Sequence, residues 1–325
     1  MSRMEVFFPK TLEEAGDAVA KGMRPIAGGT DLVPLMKLGL KGSSPLFSLS
    51  KIPSLRDITV GEDSLVIRSC VSLTDVAQHE AVRAHFPALV QASLAVGTPQ
   101  LRNQGTLGGN ILQDRRCLYF NQSAAWRSSF EPCYKTGGHV CYQIANSSEC
   151  AAFYYSDTAT ALLALGATAT IMRGGEILSI PLEELIQRHV SANGGVCAPD
   201  FILAELRIPF YHLSKGSSFF MKVAPRASFD FPLLNLAIGR AFDSVRLYAG
   251  AWGRLPLRLL SVEKTLCDTP EISVKDLSDI LRDFLEKNRS PIREAGIPPK
   301  ARMRILSRLN PFAEAIKKVI KEGDA

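Results

Sequence analysis

The chain has 325 residues, 46% of them hydrophobic and 22% charged, which excludes a disordered polymer and leaves enough apolar matter for a sizeable core. Its net charge of +6 is too mild to demand a nucleic-acid partner, and no apolar run reaches the ~18–20 residues of a membrane helix. Met1 to Lys10 carries Arg3, Glu5 and Lys10 and lacks an apolar secretory stretch, so a cytoplasmic protein without membrane or nucleic-acid partners is expected.

Val6-Phe7-Phe8 reads as a strand. Thr11 with Glu14 then reads as a capping box for a helix whose apolar face holds Leu12, Ala15, Ala18 and Val19, stopped by Gly22. Pro25-Ile26-Ala27 is a short strand that runs into Gly28-Gly29-Thr30-Asp31 and the apolar stretch Leu32 to Leu38. Leu65-Val66-Ile67 is a strand candidate. Ser72 and Asp75 cap a helix to about Ala84, and Pro87 opens another to about Val96. A glycine-rich passage follows, Gly105-Thr106-Leu107-Gly108-Gly109-Asn110. Residues 113–155 hold no sustained period of 2 or 3.6, and a loop this long needs something to organise it. Pattern returns with a helix from Thr158 to Leu165, strands at Ala167–Met172 and Ile177–Ile180 joined by an Arg173–Glu176 turn, and a strand at Phe201–Ile208. Three strands follow, Ser218–Val223, Leu233–Ile238 and Ser244–Ala251. Three helices complete the chain: Arg258–Cys267, Val274–Lys287 and Pro299–Lys321, the last broken near Pro311. The expected class is α+β, with three units at 1–57, 58–215 and 216–325. The last should be a three-stranded sheet with helices on one face.

The two glycine-rich loops suit a dinucleotide. Paired glycines let backbone N–H groups approach an anion, and Thr30 and Thr106 add hydroxyls. Each loop alone also reads as a tight turn. Neither is a G-x-G-x-x-G fingerprint, and no G-x-x-x-x-G-K-[ST] is present, so Rossmann and P-loop readings fail. Lys222, Arg226 and Asp230 read either as solvated charges or, for Lys222, as a flavin or phosphate neighbour. His79, His85, His139, His189 and His212 form no H-E-x-x-H pair, and G-x-S-x-G is absent. The bases Lys300, Arg302, Arg304, Arg308, Lys317, Lys318 and Lys321 read as the polar face of amphipathic helices or a docking surface. Four of the seven cysteines, Cys117, Cys133, Cys141 and Cys150, crowd into one segment. No C-x₂₋₄-C knuckle favours zinc, and iron–sulfur sites tolerate wider spacing; zinc and unligated thiols stay open. Cys70, Cys197 and Cys267 read as ordinary buried thiols.

Pro25-Ile-Ala-Gly-Gly-Thr-Asp-Leu32 with Thr106-Leu-Gly-Gly-Asn-Ile111 resembles the FAD-binding medium subunits of the molybdenum hydroxylase family, which includes xanthine dehydrogenase and carbon monoxide dehydrogenase. The likeness runs through Ser156-Asp157 and the Lys222 strand. Asn110 and Asp157 stand farther apart than in ordinary members. The inserted segment, with Cys-Leu-Tyr-Phe-Asn-Gln-Ser at 117–123 and Trp126-Arg127, is similar to that of 4-hydroxybenzoyl-CoA reductases. The resemblance implies a [4Fe-4S] cluster on Cys117, Cys133, Cys141 and Cys150. It implies FAD held by Ile26, Ala27, Gly28, Gly29, Thr30, Asp31 and Leu32, with the amides of Gly28, Gly29 and Gly109 turned to the diphosphate. Thr106, Gly109, Asn110 and Leu112 would form a second clamp, Asp157 would bond the ribityl or adenosine part, and Leu203 and Lys222 would lie near the isoalloxazine. Val96 takes a place that relatives often give to an aromatic.

The same resemblance implies a molybdopterin-binding large subunit, a small subunit with two [2Fe-2S] clusters, a dimer of heterotrimers and a ferredoxin-like donor. Electrons would pass by the extra cluster and FAD to molybdenum, for reductive dehydroxylation of an aromatic acyl-CoA on a partner subunit. The rivals are a conventional hydroxylase flavoprotein passing electrons outward to NAD or a quinone, and a zinc-stapled interaction module without redox function.

Overall fold

The computed structural model describes residues 5–40, 45–190, 199–210, 218–226, 229–241, 244–288 and 305–322. Cys197, His212, Lys300, Arg302, Arg304 and the first part of the expected 299–321 helix lie outside them.

The chain begins with β1 (Val6–Phe7), α1 (Leu12–Ala20), β2 (Arg24–Ile26), α2 (Leu32–Lys37) and β3 (Leu46–Ser48). The three strands pair in parallel in the order β1-β3-β2. Thr11 caps α1 by accepting from the Glu14 amide at 3.2 Å. Glu14 reaches back to the Lys10 amide, one residue before the expected box partner. Ala15 and Ala18 bury against Phe47 at the sheet centre.

Next come β4 (Ile58–Val60), β5 (Ser64–Arg68), α3 (Leu73–Gln78), α4 (Glu80–His85), α5 (Pro87–Ala95), α6 (Pro99–Gln104), α7 (Leu107–Ile111), α8 (Ala124–Arg127) and α9 (Asp157–Ala164). They are followed by β6 (Thr168–Arg173), β7 (Glu176–Pro181), α10 (Leu182–His189) and β8 (Ile202–Pro209). The five strands form an antiparallel sheet ordered β4-β5-β8-β6-β7. The helix expected from 72 to 84 is split at His79, which is extended (φ −63°, ψ 129°). The second glycine-rich passage is a helix start rather than a turn. Thr106 caps α7 through its hydroxyl, so Gly108 and Gly109 sit in helical backbone.

The last part is β9 (Ser218–Val223), β10 (Leu234–Ala241), β11 (Ser244–Gly250), β12 (Leu257–Arg258), α11 (Leu260–Asp268), α12 (Val274–Lys287) and α13 (Asn310–Glu322). Its sheet has four strands, ordered β12-β11-β10-β9, one more than expected; two residues are too few to show a period in sequence. Helices cover both faces rather than one. Along β10, Leu234, Leu236 and Ile238 join the core with Leu277, Leu281, Phe312 and Ile316 of α12 and α13. The alternate residues turn to α9: a Cβ on Gly239 would stand 2.4 Å from the Ala164 carbonyl oxygen. Ile305 and Leu306 are helical, residues 307–309 are not, and α13 starts at Asn310, so the expected break falls just before Pro311; Pro311 itself lies in the first turn of α13, where its missing N–H costs nothing. Among the described residues, no helix is long and apolar enough to cross a membrane.

Candidate functional site

A groove forms where the Ala27–Asp31 loop meets the α6–α7 junction. Gly28 packs so tightly that a Cβ there would lie 1.9 Å from the Gln104 carbonyl oxygen. The Gln104 side-chain amide donates to the Gly28 carbonyl at 3.3 Å. Gly29 has φ +71°, a conformation that favours glycine. The amides of Gly28, Gly29 and Thr30 meet no protein acceptor among the described residues. Three such donors on a surface bare of side chains are what a diphosphate requires.

The second loop works differently from expectation. The Gly109 amide is not turned to an anion; it donates to Thr106 Oγ1 at 3.0 Å. Gly108 and Leu107 donate to the Ser69 and Val71 carbonyls, and Asn110 to Thr106. Capping and helix geometry thus consume these amides, and the loop offers the Thr106 hydroxyl and a close backbone approach instead.

All fourteen expected cofactor residues line this groove, which has two arms. Ile26, Ala27, Gly28, Gly29, Leu32, Leu112 and Leu203 line the first. Asn110, Asp157 and Lys222 line the second. Thr30, Asp31, Thr106 and Gly109 border both. Leu203 and Lys222 line different arms, delivered by β8 and β9. A molecule with a central diphosphate and a ring at each end, as in FAD, fits this outline.

In the second arm the Lys222 ammonium donates to Asp157 Oδ2 at 2.7 Å and to the Ala95 carbonyl at 2.8 Å. Asn235 Nδ2 donates to Asp157 Oδ1 at 2.7 Å. Burial pushes the Asp157 carboxyl above its ordinary range, and Lys222 and Asn235 oppose that shift. Asp157 thus works as the anchor of Lys222. The Asn110 side-chain oxygen accepts from Ser156 and Thr158, each at 2.7 Å, which turns its NH₂ toward the groove. Arg226 pairs with Asp230 but is 67% exposed, as the solvated reading had it. Lys222 is not; its side chain is 12% exposed.

Asp31 faces the inserted segment. Its carboxylate pairs with Arg116 and accepts from the Asp114 amide at 3.1 Å. The Arg116 guanidinium lies 4.7 Å from the Phe231 ring centroid. Arg116, Tyr155, Phe229 and Phe231 border the second arm, and none of them was expected there. The one sequence signal was the pair of aromatics around Asp230. His189 and Phe201 were likewise missed in the first arm.

The insertion is pinned by short pairings, Arg116 with Phe153 and Cys133 with Val140. Its four cysteines are free thiols, Cys150 buried and the others half-buried. Burial raises the Cys117 and Cys150 thiols; a thiolate at Cys150 adds to the first shift and one at Cys141 to the second. Two cations are buried with them. Arg115 donates to the Cys150 carbonyl at 3.1 Å, and Lys135 donates to Asp114 at 2.6 Å and to the Arg115 carbonyl at 2.8 Å. Among the described residues, no three His, Cys, Asp or Glu side chains gather as one metal ion would need. A four-iron cluster takes one thiolate per iron corner, so its ligands stand farther apart, and buried cations suit its negative charge.

Residues 2–211 match the family model described as the FAD binding domain in molybdopterin dehydrogenase. The aldehyde oxidoreductase FAD-binding subunit PaoB of Escherichia coli K12 is 31% identical over 257 residues, 75% of this chain and 79% of that protein. The carbon monoxide dehydrogenase medium chain of Hydrogenophaga pseudoflava is 33% identical over 112 residues, 34% of this chain and 39% of that one. A solved carbon monoxide dehydrogenase of the same organism, lacking the Mo-pyranopterin moiety, aligns over 99% of this chain and 97% of its own, with TM-score 0.71 and 17% identity. Quinoline 2-oxidoreductase from Pseudomonas putida 86 aligns over 99% and 96%, with TM-score 0.69 and 19% identity.

Proposed function

Because the chain belongs to the FAD-binding subunits of the molybdenum hydroxylase family, we propose that it is a flavin-carrying electron-transfer subunit whose substrate chemistry sits on a partner. The observation that carries this reading is the convergence of both glycine-rich loops and the Lys222–Asp157 pair on one two-armed groove. FAD, when bound, would supply the exchange between one-electron and two-electron transfers. The chain's own part is positional. Gly28, Gly29 and Thr30 offer amides at the junction of the arms. Thr106 closes the second side with a hydroxyl, and Lys222 fixes a positive charge in the second arm.

The insertion supports a finer reading, a subunit of a molybdenum-dependent aromatic acyl-CoA reductase of the 4-hydroxybenzoyl-CoA type. Cys117, Cys133, Cys141 and Cys150 would hold a [4Fe-4S] cluster, with Arg115 and Lys135 balancing its charge. This reading implies a ferredoxin-like donor, a molybdopterin-binding large subunit, a small subunit with two [2Fe-2S] clusters, and a dimer of heterotrimers. A second reading is a conventional hydroxylase flavoprotein passing electrons outward to NAD or a quinone; the likeness to PaoB, a subunit of an aldehyde oxidoreductase, would make an aldehyde its substrate.

Anaerobic purification from the native source separates these readings. Co-purifying molybdenum and [2Fe-2S] chains, flavin absorption and acyl-CoA-dependent reoxidation of the reduced complex are the expected result. Reduction of the complex by aldehydes with no response to acyl-CoA would select the second reading. A colourless chain that takes up no FAD would overturn both.

A further inference from the structure

Hydrogen-bond donors converge on the sulfurs of the inserted segment. Cys117 receives the side-chain amide of Gln143 and the backbone amides of Phe120 and Tyr119, all of which favour its thiolate. The Ala152 amide donates to Cys150 Sγ at 3.5 Å. The Thr136 hydroxyl, which donates to the Cys133 carbonyl at 3.1 Å, also lies 3.7 Å from Cys133 Sγ. The Tyr119 and Phe120 amides come with the turn that follows Cys117. Gln143 has no such reason to be there. It is 8% exposed, and its Oε1 is buried with no hydrogen-bond partner among the described residues. Burying an amide with one end unpaired costs free energy that an apolar side chain of the same length would avoid. The contact that accounts for Gln143 is its NH₂ on the Cys117 sulfur.

The geometry points to Gln143 as a positioning residue of the inserted cluster, one that raises its reduction potential through the Cys117 sulfur; this rests on the [4Fe-4S] reading above. Reduction adds one electron, and so one negative charge, part of which is carried by the thiolate sulfurs. An N–H donor on a sulfur stabilises that charge, and hydrogen bonds to the sulfurs help to set the potential of such clusters. Arg115 and Lys135 act in the same direction from the Cys150 and Asp114 side. Gln143 is the donor to Cys117 that a substitution can remove without touching the backbone. At a point of electron entry, its effect is to let the cluster accept electrons from donors of less negative potential.

The test uses the full chain reconstituted anaerobically with iron and sulfide. The midpoint potential is read by dye-mediated titration of the low-temperature paramagnetic signal. About four irons and a reducible signal in the wild type check the cluster reading. A wild type that takes up no iron would remove that reading and this proposal with it. Gln143→Met should keep the iron and shift the midpoint to more negative values. Gln143→Lys, which puts a cation in the same place, should shift it to more positive values. Gln122→Met, in the same segment but with its amide spent on the Leu118 carbonyl, should leave it unchanged. An unchanged midpoint in Gln143→Met, or a shift in the same direction for Met and Lys, would overturn the tuning role while the cluster stands. Iron lost from Gln143→Met as fully as from Cys117→Ser would make Gln143 a structural prop and overturn it equally. Circular dichroism melts confirm that each variant is folded.

Discussion

Lys222 and Asp157 form an ion pair of 2.7 Å that ties β9 to the first turn of α9, 65 residues apart in sequence. Asp157 is 3% exposed, and its other oxygen accepts from Asn235. The ammonium also caps the end of α5 at the Ala95 carbonyl. One lysine thereby joins three elements and faces the groove. A carboxylate buried this deeply stays charged only while its partners hold.

Removing one partner should therefore be costly. Lys222→Met should lower stability by about 3–5 kcal/mol, because Asp157 is left buried and uncompensated. Adding Asp157→Asn should recover a good part of that loss. Thermal melts of the two single variants and the double variant measure it. A double variant no more stable than Lys222→Met would show that the pair is not coupled.

The first loop makes its own prediction. At Gly28 even one methyl group cannot be placed without moving the Gln104 backbone, given the 1.9 Å approach. Gly28→Ala should part the two loops and weaken FAD binding roughly tenfold or more, at an overpacking cost of about 1–3 kcal/mol. Gly109→Ala should be milder, since its Cβ would meet only Thr106 Oγ1 at 2.9 Å. Equilibrium titration with FAD ranks the two; equal affinities would contradict the packing.

The legible parts of the sequence were those with local causes. Gly28-Gly29-Thr30-Asp31 showed itself because glycine marks strained or closely packed backbone, and Leu277, Leu281 and Leu285 revealed α12 by their spacing. β3 went unread because Leu46-Phe47-Ser48, unlike the equally short Pro25-Ile26-Ala27, runs into no glycine-rich loop that would mark it. α10 had a pattern in Leu182, Leu185 and Ile186, but it follows β7 with no break. Tertiary pairing was out of reach. Nothing local joins Asp31 to Arg116, 85 residues on, or sends Leu203 and Lys222 to different arms. The Gly109 amide was misjudged because the same glycines suit an anion cradle and a capped helix start.

Cys70 should give an alkaline signature. Burial pushes its thiol up from about 9.0 to about 11. The folded chain thus holds this proton more tightly than the unfolded chain does. Stability from this group is intact below about pH 9 and is lost as pH rises toward 11, by about 2–3 kcal/mol in total. Denaturant melts between pH 8 and 11 should show that slope, and Cys70→Ala should flatten it. At pH 8 a thiol reagent should label exposed Cys267 and spare Cys70. Equal labelling of the two would contradict the burial.

The insertion gives the last prediction. Reconstituted anaerobically with iron and sulfide, the full chain should take up about four irons. Cys133→Ser and Cys150→Ser should each lose most of that iron, and Cys267→Ser none. Lys135→Met should lower cluster retention without removing a ligand. Its ammonium is buried against Asp114, the Arg115 carbonyl and the Phe120 ring, so the change removes a cation and leaves Asp114 without that partner. The effect should also travel. Arg116 and the Asp114 amide hold Asp31, so a loosened insertion should weaken FAD binding even though none of its four cysteines lines the groove. Unchanged iron in both ligand variants would sink the assignment. One zinc per chain without sulfide would favour a structural staple. Iron lost with FAD affinity untouched would leave the ligands standing and break the proposed link through Asp31.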